Sequence, residues 1–185
     1  RIDMTTKAST RYPIAIGIGG FLNDIATDGS RYVFASETFA NKIWRLDTAA
    51  APPISTMIVQ NVAFKNPNGL LVDGSKLYMV ATGSFSDPND KANMWSMNLD
   101  GTGAAVFGTI TGKFDGLEKV GTNWWLSGFT KTVQSLDAQA TMSTVIHDFA
   151  PDKLSSTADF GYDSGSKTLA VPDVVGTNVA FYVVQ

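Results

Sequence analysis

The sequence contains no cysteine and only one histidine among its 185 residues. The first absence excludes disulfide frameworks, zinc–thiolate centres and cysteine nucleophiles. The second leaves no imidazole pair for a metal, and a Ser-His-Asp triad would depend on His147 alone. No apolar run approaches the roughly 18 residues of a membrane span, and no signal-peptide pattern is present. Basic tracts are missing too. The 14 Lys and Arg residues are scattered singly against 17 Asp and Glu, for a net charge of −3. This argues against nucleic acid or a membrane surface as partner and leaves a small molecule as the expected ligand. No stretch carries a convincing helical pattern.

What is present is β-structure in repeats. The 44% of hydrophobic residues suffices for one cored domain, residues 1–185. Asn23-Asp24-Ile25-Ala26, Asn68-Gly69-Leu70-Leu71, Asp115-Gly116-Leu117-Glu118 and Asp159-Phe160-Gly161-Tyr162 recur at spacings of 45, 47 and 44 residues. Each precedes a β-type stretch, then a Gly-, Asn- or Ser-containing turn, then further short strands. A period in this range with four strands per unit marks propeller blades.

The expected fold is therefore all-β: a six-bladed type of β-propeller, present in part, with about four and a quarter antiparallel blades. Residues 21–64, 65–112 and 113–154 form full blades, and 155–185 an incomplete last one. Residues 1–20 are expected to end an earlier blade, with Arg1-Ile2-Asp3 on its third strand and Tyr12 to Ile16 as its fourth. A chain that begins at Arg1 in a strand-like phrase reads as a processed or truncated piece. A compact smaller ring with one terminal strand unused is the competing arrangement. Oligomeric state is not legible.

In a propeller the first strand of each blade lines the central channel. Asn23, Asn68, Asp115 and Asp159 begin those strands in register. Their converging oxygens suit a hard divalent cation, Ca²⁺ first, with Mg²⁺, Mn²⁺ or Zn²⁺ as further candidates. The competing reading is plain turn chemistry, since Asn-Gly and Asp-Gly pairs commonly make turns. Glu37, Thr82, Ser127 and Asp173 end the second strands on the same side and form a candidate pocket wall. His147 reads as a satisfied surface histidine. Trp124 and Trp125 alternate across one strand, so one is expected between blades and the other in a neighbouring layer. Asp87, Asn89 and Asp90 lack the spacing of a calcium loop and read as solvated.

The blade-start phrases, with Val171-Pro172-Asp173 and Asn178 to Tyr182, resemble the SMP-30/gluconolactonase/regucalcin-like propellers, particularly secreted bacterial members. The resemblance covers almost the whole chain. It implies a channel cation held by a Glu, two Asn and an Asp, of which Asn23, Asn68 and Asp115 match three. The early Glu has no counterpart, and Asp159 matches only the repeat. It further implies Asp115 as catalytic base or nucleophile of a metal-dependent lactonase or esterase, and a periplasmic or extracellular location. A non-catalytic, NHL-like binding propeller is the alternative.

Overall fold

The protein is described from a computed structural model, covering residues 1–184. Among the described residues, fifteen strands form four antiparallel sheets, each running in chain order from an inner to an outer edge. The first holds β1 (Leu22–Thr27), β2 (Tyr32–Glu37), β3 (Lys42–Asp47) and β4 (Ile54–Gln60). A short 3₁₀ turn at Val62–Phe64 leads to β5 (Pro67–Asp73), β6 (Lys76–Ala81), β7 (Ala92–Asn98) and β8 (Ala105–Gly112). The third sheet comprises β9 (Phe114–Val120), β10 (Asn123–Gly128), β11 (Thr132–Leu136) and β12 (Ser143–Asp148). The fourth has three strands, β13 (Gly161–Asp163), β14 (Thr168–Pro172) and β15 (Val179–Val183).

These are blades in a propeller arrangement, with β1, β5 and β9 side by side at the centre. Turn chemistry sets the hairpins. Asp28 accepts from the amides of Ser30, Arg31 and Tyr32 at 2.8–2.9 Å, while Gly29 takes a φ of +77° that an L side chain rarely adopts.

Each blade contact is a hydrophobic core. Phe34 and Ile43 of the first blade meet Leu70, Met79 and Trp95 of the second. Val80 and Met94 then meet Phe114, Trp124 and Leu126, and Trp125 and Val133 meet Phe160, Leu169 and Val171. Successive residues of a strand face opposite sides, so both faces of an interior blade must be apolar. Trp124 and Trp125 face opposite sides as their alternation predicts, and both sides are blade interfaces: the first packs toward the second blade, the second toward the fourth.

The two strands expected within the first 20 residues are not formed. Only an isolated bridge between Ile2 and Ser9 interrupts irregular chain. Residues 10–14 instead arch over the open face of the first blade across a space of about 1000 Å³. A strand needs a hydrogen-bonding neighbour, and none stands beside this segment. The open blade faces leave Ile25 69% and Phe181 73% exposed.

Candidate functional site

The Asn/Asp phrases are not turns. Between Leu22 and Ile25 of β1, the partner strand advances only from Glu37 to Ala35, so β1 carries one extra residue. The same excess occurs between Pro67 and Leu70 of β5 and between Phe114 and Leu117 of β9. In the fourth blade it falls between the Thr157–Asp173 bridge and the Gly161–Ala170 pair. Each blade therefore opens with a β-bulge holding Asn23-Asp24, Asn68-Gly69, Asp115-Gly116 or Asp159-Phe160. A bulge bends the strand and re-aims its side chains, which suits a channel mouth.

The glycines in these phrases serve close packing. A Cβ on Gly69 would run into the carbonyl oxygen of Asp115 in the next blade. One on Gly116 would meet the Asp159 carboxylate and the Ser127 hydroxyl. Small residues here let consecutive inner strands approach until their polar side chains touch.

The bulges gather Asn68, Asp115 and Asp159, together with two residues the repeat did not single out, Asp24 and Glu118. Asn68, only 2% exposed, donates its side-chain amide to Asp115. The Asp159 carboxylate lies close enough to Asp115 for their charges to interact. The Asp24 carboxylate accepts from the amide of Leu70 at 2.6 Å and from its own neighbour Ile25 at 2.7 Å. Asp24, Glu118 and Asp159 share a recess of about 300 Å³ walled by Leu70 and Leu117. Asn23 stands apart: it is exposed at the start of β1, and its amide donates to the buried Thr38 hydroxyl at 3.2 Å.

Crowding of acids in a partly dry channel raises their pKa values. Burial pushes Asp115 up to about 6, and the nearby Asp159 charge adds to it. Burial likewise takes Asp24 to about 6, offset by the Leu70 amide. Asp159 and Glu118 are also raised, chiefly by desolvation. Asp159 nonetheless opens to solvent at the mouth, so its charge is the best screened of these carboxylates.

Of the candidate pocket-wall residues, Ser127 holds a bulge in place and the rest bond to neighbouring chain. The Ser127 hydroxyl accepts from the Gly116 amide at 2.9 Å and donates to the Ala158 carbonyl in the next blade. Ser36 does the equivalent for Asp24 at 3.0 Å. Thr82 donates to the Asn66 carbonyl at 3.1 Å, and Asp173 takes the Ser155 amide at 3.0 Å. Glu37 is buried and accepts from the Trp44 indole at 2.8 Å. These residues tie strands together and contribute no free functional group.

No group of three or more His, Cys, Asp or Glu residues is positioned to hold a metal among the described residues. The Asn68 amide is turned to Asp115, and that of Asn23 to Thr38. His147 lies on the outer strand β12, bonded to Asp152 at 2.9 Å and stacked on Tyr182 at 3.9 Å. In the loop after β6, Asp87 accepts from the Asn89 amide at 2.8 Å and Asp90 pairs with Lys65.

No family model matches the sequence, and no curated protein matches it. Solved structures do. A chain of a nidogen/laminin complex superposes with a TM-score of 0.69 at 17% identity, over 88% of this chain and 60% of that one. A Bacteroides thetaiotaomicron protein of unknown function gives 0.66 at 12% identity, over 88% of this chain and 41% of its own. Myxococcus xanthus glutaminyl cyclase gives 0.57 at 16% identity, over 90% and 75%. The chain is built as a β-propeller. At such identities the likeness shows the fold alone, because function lives in sites grafted on folds. The chain spans 60% of the nidogen/laminin-complex chain.

Proposed function

We propose that the protein is a hydrolase of small lactones or related esters, of the SMP-30/gluconolactonase kind, with Asp115 as general base. The observation that supports this is the Asp115–Asn68 pair in the bulged channel mouth, with the carboxyl raised to about 6. A carboxylate of that basicity is ionised at neutral pH and still accepts a proton well. The Asn68 amide fixes its orientation. Asp115 takes a proton from water as the water oxygen bonds to the ester carbon. On collapse the carbon–alkoxy bond breaks, and the proton passes from Asp115 to the departing alkoxide.

Attraction of a divalent cation, Ca²⁺ first, belongs to the proposal as a separate binding event. Asp24, Asp115, Asp159 and Glu118 repel one another, and a cation relieves that repulsion. Calorimetric titration with Ca²⁺ should show binding that Asp115→Ala weakens. Lactone hydrolysis by parent and Asp115→Ala, each with and without Ca²⁺, tests the chemistry. Equal rates in the two proteins would remove Asp115 from the role.

A non-catalytic, NHL-like binding propeller is the second reading. It is favoured by side-chain amides already turned to protein partners rather than to the channel axis. Its signature would be an absence of turnover, no cation uptake, and a fold unchanged in chelator.

A further inference from the structure

Four phenylalanines stand in the open on loops at one end of the blades. Phe21 precedes β1, Phe39 follows β2, Phe85 follows β6 and Phe129 follows β10. All four are exposed, Phe39 at 57% and Phe85 at 56%. Their ring centroids are linked in steps of 5.4, 5.8 and 6.0 Å, which makes one continuous row across three blades. Single exposed apolar side chains are ordinary, but a contiguous set has a use.

The row borders the channel mouth. Thr38, beside Phe39, receives the Asn23 amide and donates to the Pro67 carbonyl next to Asn68 at 2.8 Å. The Phe129 amide donates at 3.3 Å to Lys113, two residues before Asp115. Phe85 and Phe129 wall a recess of about 220 Å³ that Lys113 also lines. That ammonium reaches backbone carbonyls, of Thr82 at 3.4 Å and of Ser84. The nearby Asp90 is engaged elsewhere, by Lys65 and by the Ser84 amide at 2.8 Å. Lys113 and Pro88 also line an adjoining groove of about 530 Å³ between the second and third blades.

We infer that this row is a ligand subsite for an aryl or similarly planar apolar group, carried by a small molecule whose carboxylate meets Lys113. Flat rings gain most from an aromatic surface, and the Lys113 ammonium, hydrogen-bonded only to carbonyl oxygens and sharing the nearby Asp90 charge with Lys65, can still take an anion. The inference deepens the hydrolase reading, on which it rests for one point only: that the bound molecule is the acid portion of the ester or lactone. The subsite itself stands on the row and the lysine.

The test is titration of the full chain with 3-phenylpropanoate, using 3-phenylpropanol and propanoate as controls, read by calorimetry or ligand-observed NMR. The phenyl acid is expected to bind about tenfold or more tightly than either control, the size of one good aromatic or charge-assisted contact. Phe85→Ala/Phe129→Ala should erase the preference for the ring, and Lys113→Gln the preference for the carboxylate. Both rings are part-exposed and touch mainly each other and Phe39, so their loss should lower the denaturation midpoint only slightly and leave a cooperative transition. Equal binding of the three probes, or variants that bind like the parent, would overturn the subsite. So would sedimentation as a dimer, or flotation with zwitterionic vesicles, that the double variant abolishes. Asp115→Ala separates the two proposals. Retained probe binding in a chain without turnover, parent included, would sink the hydrolase reading and leave the subsite standing.

Discussion

Replacing Asp115 by Asn is expected to make the folded chain more stable at neutral pH while removing turnover. The carboxyl titrates at about 6 when folded, against an ordinary value of 3.8. Between those values the folded chain holds a proton that the unfolded chain has released. Stability therefore falls as pH rises through this window, and the whole penalty stands above pH 6. Each pKa unit corresponds to about 1.4 kcal/mol, so the ceiling is about 3 kcal/mol. Asp159, which supplies part of the shift, opens to solvent, and screening lowers the recoverable gain to about 1–2 kcal/mol. Asn at this position keeps an oxygen to accept the Asn68 amide, so the pair survives. For a chain of this size the gain corresponds to roughly 2–8 °C in Tm. Calorimetric melting of parent and variant at pH 7.5 and pH 4 is the assay. The variant should lead at pH 7.5 and the difference should shrink to a small fraction of that at pH 4. A variant less stable at pH 7.5, or a difference independent of pH, would refute the assignment of a desolvated, ionised Asp115.

Asn68→Ala removes a buried donor and leaves Asp115 short of a partner, so it should cost about 1–3 kcal/mol in urea denaturation. It should also move the Asp115 carboxyl resonance to titrate at still higher pH. Gly69→Ala forces a methyl against the Asp115 carbonyl and should cost about 1–3 kcal/mol. Gly29→Ala, in an open turn with φ +77°, meets no atom within 4 Å and should cost only about 1 kcal/mol, from backbone strain alone. For lactone hydrolysis, kcat/KM should fall about tenfold per pH unit below about 6. A flat profile down to pH 4.5 would exclude Asp115 as the base.

The propeller was legible because its cause is local and repeated. Strands such as Tyr32–Glu37 and Lys76–Ala81 are β-rich runs between Gly and Asp turns, and each returns one period later. The alternation of Trp124 and Trp125 already put them on opposite faces of their strand, and the structure makes both faces blade interfaces. Tyr12 to Ile16 has the same local look and forms no strand, because pairing is supplied by a neighbour and not by composition. Asn-Gly and Asp-Gly carried a false cue. As dipeptides they suit turns, yet here they occupy bulges, where glycine is required by the approach of the adjacent blade.

The candidate site divides along the same line. Register alone selected Asn68, Asp115 and Asp159, because equivalent positions of a repeat share one radius. Asn23 shares their register, but its amide settles on Thr38 beside the open first blade. Asp24 joins from within the β1 bulge and Glu118 from the regular strand just beyond the β9 bulge, a meeting that no spacing encodes. The Phe21–Phe39–Phe85–Phe129 row was equally hidden, since its members lie at unequal offsets on separate loops. By itself the sequence determined the strands, their grouping into blades and the polar residue at each inner start, all set by local pattern and period. Tertiary structure alone decided which of those polar groups meet, how dry their carboxylates are and what surrounds the mouth. Those properties depend on distances between blades, and distances between blades are fixed only by packing.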